Sequence, residues 1–297
     1  MEDTYMIKKT LAFFTAIILI TAVSGCGSAS VSARATTEEK MKENVTFSAS
    51  KLSGSVVITG STSVDKIIND MTDEFAAENP DAAIDYTGSG SSAGIKDTLS
   101  GTNNIGVSSR DLKEDEKTDG LQVTVFAYDG IAIVVNPANP VKNISVADLA
   151  ALYSGKISNW KELGGNDAPI FIVSREESSG TRTSFEDLID LKGAGGLTGA
   201  AAVSEGNGPV QAAVAGNVNA IGYVSFSFMD SSVKALDLEG ASPTEENAKS
   251  GDYKLSRPFL FCYFDDSASE AGKAFLDFAL SPAGQAIVKE NGAIPID

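Results

Sequence analysis

From Val56 onward, short β-branched runs alternate with stretches whose apolar residues return every third or fourth position. Val56-Val57-Ile58, residues 83–86, 105–107, 123–126 and 131–135 read as strands, being short and bounded by turn residues. Between the first two, Val64, Ile67, Ile68, Met71 and Phe75 fall on one helical face that stops at Asn79-Pro80, and a short helix is expected over 94–100. Asn136-Pro137 closes this series, and Ser145-Val146-Ala147-Asp148 has the form of a capped helix start. A second series follows, with strands at 170–173 and 221–224 and helices at 182–190 and 210–215. Near the end, 259–264 reads as a strand, and Ser267-Ala268-Ser269-Glu270 caps a helix whose apolar face includes Ala271, Phe275 and Phe278. This alternation predicts an α/β fold with largely parallel sheets. The body contains no internal repeat and no low-complexity block.

The N-terminal segment has a different pattern. Lys8 and Lys9 precede an uncharged run from Leu11 to Val23 that ends in Ser24-Gly25-Cys26. The run is shorter than the roughly 20 apolar residues of a membrane span and suits the core of an export signal. Val-Ser-Gly-Cys resembles a bacterial lipoprotein signal, so residues 1–25 are expected to be removed and Cys26 to carry the lipid that holds the protein outside the cytoplasm on the cell membrane. Met6, followed by Ile7-Lys8-Lys9, is an alternative start to Met1. Residues 26–45 mix Ser, Ala, Thr, Glu and Lys without apolar periodicity and read as a solvated tether. The remainder, about 250 residues, exceeds what one core usually needs and suggests two lobes. With Cys26 lipidated, Cys262 has no partner for a disulfide.

Charge and composition remove several function classes. The chain carries a net charge of −17 and no histidine. That excludes a Ser-His-Asp triad, a Cys-His pair and a histidine-ligated zinc site, and no clustered metal-ligand carboxylates are present. No cofactor is expected. Nucleic acid is excluded as a partner on the same reasoning, because binding its backbone needs a basic surface.

Candidate chemistry lies at three strand-to-helix junctions of one composition: Gly60-Ser61-Thr62-Ser63, Gly88-Ser89-Gly90-Ser91-Ser92-Ala93-Gly94 and Ser178-Ser179-Gly180-Thr181. The first turn of a helix leaves backbone N–H groups unsatisfied and carries a partial positive charge, which suits an oxyanion. Any one junction is explained as well by capping alone. Three together, with Arg175 four residues before Ser179, point to anion binding, since a guanidinium can give a tetrahedral oxyanion two parallel hydrogen bonds. Glu177, two residues beyond Arg175, is on the same side of an extended backbone and is expected to hold the guanidinium in place.

These segments, with Ile105-Gly106-Val107-Ser108-Ser109-Arg110, Ala220-Ile221-Gly222-Tyr223-Val224, 242–247 and Ser281-Pro282-Ala283-Gly284-Gln285, resemble in order and over the whole body the phosphate-binding protein of the Pst transporter. The resemblance implies a two-lobed periplasmic-binding-protein fold of type II form, its α/β lobes joined by two hinge strands with the ligand cleft between them. Crossings are expected near Tyr128 and Lys254, making 46–128 plus 255–297 one lobe and 129–254 the other. It implies that Thr62, Ser63, Ser91, Ser109, Arg175, Ser179, Gly180 and Thr181 bind inorganic phosphate, with Glu177 and Arg110 in support. It also implies a non-enzymatic, monomeric receptor that delivers phosphate to membrane ABC permease subunits.

One departure bears on selectivity. Where members of this family often have an aspartate that accepts the proton of hydrogen phosphate, this chain has Ser109. A carboxylate there repels sulfate, which brings no proton. A receptor for sulfate or another tetrahedral oxyanion therefore stays open, as does a signalling lipoprotein that keeps the fold.

Overall fold

The computed structural model describes residues 52–296. The proposed signal, Cys26 and the tether lie outside the described residues.

The chain opens with parallel strands β1 (Gly54–Gly60) and β2 (Ala82–Gly88) around helix α1 (Asp65–Glu78), followed by α2 (Ser91–Ser100) and β3 (Ile105–Ser108), which pairs with β1. α1 forms where the 3.6-residue pattern predicts it, and Ile67, Ile68, Met71 and Phe75 are its buried face. Next comes β4 (Leu121–Val135), then β5 (Asn143–Ile144), α3 (Val146–Tyr153), β6 (Phe171–Arg175), α4 (Gly180–Leu188), α5 (Leu191–Ala194), β7 (Ala202–Ser204), α6 (Asn207–Ala215) and β8 (Ala220–Ser225). β9 (Lys234–Ala235), β10 (Asp237–Leu238), α7 (Glu245–Ser250), β11 (Ser256–Phe264), α8 (Glu270–Leu280), α9 (Pro282–Glu290) and β12 (Ile294–Pro295) complete it. Ser145 and Ser269 cap α3 and α8 as expected, each accepting a first-turn backbone N–H.

β4 corrects the sequence reading. The two runs at 123–126 and 131–135 are one strand, because Asp129, which interrupts the apolar pattern, is buried and paired inside the protein. The first part of β4 pairs antiparallel with β11, and the part from Ile131 pairs antiparallel with β8. The main strand order is β2-β1-β3-β11-β4-β8-β6-β7, so one continuous ladder passes from the first α/β unit into the second through β4. The β1/β2, β1/β3, β6/β7 and β6/β8 pairs are parallel, as βαβ connections require.

Besides a small cluster of Ile95, Leu112, Leu260 and Cys262, two larger apolar cores result. One gathers Ile58, Ile68, Phe75, Phe126, Phe259 and Phe275; the other gathers Ile133, Tyr153, Trp160, Phe185, Val210 and Tyr223. They separate along β4 between Ala127 and Ile131, and along the returning chain between Leu255 and Phe259. Cys262 is free and buried in the first unit, and burial pushes its thiol up to about 12. Among the described residues, no helix is long and apolar enough to cross a membrane.

Candidate functional site

The three Gly/Ser/Thr junctions converge between the two units. Ser61 at the end of β1 accepts the Ser63 backbone N–H and turns the chain through a 3-10 turn into α1, leaving Ser63 buried. Ser91 starts α2, and its Oγ accepts the Ser109 N–H at 3.0 Å with the Ser109 Oγ 3.2 Å away. Ser179 is the N-cap of α4, accepting the Arg182 N–H. The amides of Gly180 and Thr181, in the first turn, have no intrahelical carbonyl to bond.

Contacts between the units are close. Ser63 Oγ lies 2.7 Å from Thr181 Oγ1, Thr62 Oγ1 accepts from Arg175 Nη2 at 2.9 Å, and the Ser92 N–H donates to the Ser178 carbonyl at 3.2 Å. Gly180 is what permits this approach, since a Cβ there would sit 2.1 Å from Ser91 Oγ and 2.7 Å from Ser109 Oγ. Thr62, Ser63, Ser91, Ser109, Arg175, Ser179, Gly180 and Thr181 thus come together, although the chain spreads them over more than a hundred residues.

Arg175 has the distinctive geometry. It is 1% exposed at the end of β6, and Glu176 accepts Nε and Nη2 at 2.8 Å each. Nη1 is buried with no hydrogen-bond partner. A buried charged donor left unmatched costs free energy, so this nitrogen needs an acceptor. Arg110 Nε is also unmatched, but both Arg110 terminal nitrogens are taken by Glu116 at 2.7 Å, and Nη2 also reaches Ser92 Oγ. Arg110 therefore braces the start of α2 through Ser92.

Glu177 does not hold Arg175. The i, i+2 alternation fails because β6 ends at Arg175 and the chain turns, leaving Glu177 exposed while the adjacent Glu176 folds back onto the guanidinium. Arg175 holds the Glu176 carboxyl below the usual range, against the burial that raises it.

Sequence reasoning missed Asn207 and Arg257, and it left Asp129 unassigned as a possible carboxylate for the site. Arg257, in β11, donates to Asp129 Oδ2 from Nε at 3.1 Å and from Nη2 at 2.8 Å, and its other contacts are Ser109 O and Ser63 Oγ. Burial pushes Asp129 above and Arg257 below their usual ranges, while the pair's own attraction opposes both. Asn207 Oδ1 accepts the Ser225 N–H, which directs its Nδ2 to Ser63 Oγ at 3.2 Å. The signal available for Arg257 was a lone cation immediately before Pro258 and the apolar run.

Beside the junctions is a cavity of about 680 Å³ lined by Thr62, Asp65, Glu176, Glu177, Glu205 and Asn207 among others. Tyr86 Oη contacts both Ser61 O at 2.7 Å and Asp65 Oδ1 at 2.5 Å. Burial raises the Asp65 carboxyl, and the hydrogen bond that Tyr86 donates to it opposes the rise. No group of carboxylates or cysteines able to hold a metal occurs among the described residues.

Two α/β lobes, joined where β4 and the chain entering β11 cross, meet over hydroxyls, first-turn amides and an open guanidinium nitrogen; this is a bilobal solute-binding protein. The family model described as PBP superfamily domain matches residues 45–283. The phosphate-binding protein PstS of Bacillus subtilis (strain 168) is 33% identical over 295 residues, covering 97% of this chain and 94% of that protein. A phosphate ABC transporter substrate-binding protein from Clostridium perfringens, solved with bound phosphate, is 46% identical, covers 82% of this chain and all of its own (100%), and superposes with a TM-score of 0.80. An ABC-type phosphate transport receptor from Vibrio cholerae is 38% identical over 81% of this chain and 100% of its own, with a TM-score of 0.71. The chain belongs to the PstS family of phosphate-binding proteins. It is a binding protein and not an enzyme, as the substrate-binding components of ABC transporters are.

Proposed function

We propose that the protein captures inorganic phosphate between its lobes and delivers it to an ABC permease. The observation that carries this reading is Arg175 Nη1, a buried cationic donor without a partner, set among hydroxyls and amides from both lobes. Glu176 fixes the guanidinium through the other two nitrogens, so the free one is aimed before any ligand arrives. Thr62, Ser63, Ser91 and Ser109 bind from one lobe, and Arg175, Ser179, Gly180 and Thr181 from the other. Residues 46–128 with 255–297 form the first lobe and 129–254 the second; the separate apolar cores support this division. The −17 net charge and the carboxylates around the cavity do not oppose capture, because surface fields are screened over about 8 Å at physiological salt while the aimed donors act at contact.

The same reading takes residues 1–25 as an export signal and Cys26 as the lipidated anchor to the cell membrane, with a monomer as the working form. Labelled phosphate should co-elute with the purified protein, and small-angle scattering should show a smaller radius of gyration with phosphate. Failure of labelled phosphate to co-elute at saturating concentration overturns the proposal.

A further inference from the structure

The turn that follows β8 reaches across to the start of α1. Phe226–Phe228 is a single 3-10 turn, and the second lobe fixes its place. Asp129 Oδ1 accepts Ser225 Oγ at 2.9 Å and the Phe226 N–H at 3.2 Å, and a Cβ on Gly130 at the crossing would sit 2.1 Å from the Phe226 ring. From this turn three contacts run to the first lobe. Ser227 Oγ donates to the Ser63 carbonyl at 3.1 Å, the Ser227 carbonyl accepts Lys66 Nζ at 3.0 Å, and the same ammonium lies 4.6 Å from the centroid of the Phe228 ring. A cation over an aromatic face is attracted by the ring's quadrupole. The Asp230 carboxyl, two residues beyond Phe228, is held below its usual range by hydrogen bonds from Ser232 and, to a lesser degree, by the Lys66 charge. Lys66 itself is exposed and takes no part in the apolar core of its own lobe, although Ile67 beside it does. Its hydrogen bond and its ring contact both fall on the other lobe, so what it holds is the interface.

We infer that Lys66 and the Phe226–Phe228 turn form a latch that keeps the lobes together over a bound anion, making Lys66 a positioning residue that sets how long phosphate stays without touching it. This rests on the reading of the cleft as the phosphate site. Contacts made only while the lobes meet favour the closed form and slow the escape of what it encloses. Phe228 also lines the cavity beside the three junctions, so Lys66 fixes one wall of that cavity as well.

The test uses Lys66→Met, which keeps an apolar stem and removes the ammonium, and Phe228→Leu, which keeps every charge and removes the ring. Both are compared with the parent after a melt shows them folded. The probe is inorganic phosphate: release is followed as labelled phosphate leaving into an excess of unlabelled phosphate, and capture by rapid mixing. Lys66→Met should release phosphate about three- to tenfold faster, the scale of one partly exposed cation–ring and hydrogen-bond contact, with the capture rate held within about twofold. Phe228→Leu should act in the same direction, and the double variant should release little faster than Lys66→Met, because both substitutions break one contact. Small-angle scattering should show a larger radius of gyration for ligand-free Lys66→Met than for the ligand-free parent, with equal radii at saturating phosphate. A folded Lys66→Met protein that releases phosphate at the parental rate overturns the inference. Slower capture with unchanged release also overturns it, since Lys66 would then be a charge that steers the anion inward. Effects of the two substitutions that simply add would show that they do not share a latch. Should Phe228→Leu fail to fold, the release rate and scattering of Lys66→Met decide alone. A parent that holds no phosphate contradicts the reading of the cleft itself, whatever Lys66 does.

Discussion

Arg175→Ala removes the guanidinium whose Nη1 stands unmatched in the cleft. That nitrogen carries two N–H donors, and hydrogen bonds to charged groups are worth about 1.5–3 kcal/mol each, so the anion loses about 3–6 kcal/mol. This corresponds to roughly two to four orders of magnitude in affinity. The contact from Nη2 to Thr62 Oγ1 across the lobes goes with it, and Glu176 loses its partner, so the variant should also be less closed. Arg175→Lys should recover little: one ammonium cannot pair with both Glu176 oxygens and still face the ligand. Arg110→Ala is the control, because its nitrogens serve Glu116 and Ser92 and its loss should appear in the melting temperature before the affinity. The assay is calorimetric titration with phosphate, each variant first checked for a cooperative melt. An Arg175→Ala protein that folds and keeps phosphate affinity within about tenfold of the parent refutes this reasoning.

Glu176→Gln should weaken phosphate binding and Glu177→Gln should leave it unchanged in the same titration, because only Glu176 touches Arg175. Since the Glu176 carboxyl is held below its usual value of 4.5, its contribution to stability is full above that pH and fades as the pH falls through the depressed value, which a melting profile of Glu176→Gln against parent should show. Asp65 behaves oppositely: raised from 3.8, it favours the folded state fully below that pH and less as the pH rises through the elevated value. Asp65→Asn, whose amide oxygen can still accept from Tyr86 Oη, should flatten that part of the profile. Ser109→Asp should sharpen phosphate over sulfate, measured by competition, because a carboxylate beside Ser91 and Gly180 faces the ligand in a desolvated cleft where repulsion amounts to about several kcal/mol.

Much of this was legible in the chain because it rests on local physics. β1, β3, α1 and the capped starts of α3 and α8 follow from apolar period and N-cap chemistry, and the three junctions stand out by composition. Arg175 was legible because it precedes one of them. What the sequence hid depends on contacts between distant segments. The runs at 123–126 and 131–135 read as two strands, since nothing local says that Arg257, 128 residues after Asp129, neutralises it inside one continuous strand. Asn207 read as part of the loop before a helix, whereas it opens α6 and reaches across to Ser63. Glu177 was preferred to Glu176 on strand alternation, a rule that ends where β6 ends.

The most direct test of the account is a titration of inorganic phosphate into the phosphate-stripped parent and into Arg175→Ala, both shown to be folded. The account predicts saturable binding of one phosphate per parent chain and its near-abolition in the variant. A parent without saturable phosphate binding, or a variant that matches it, would contradict the account.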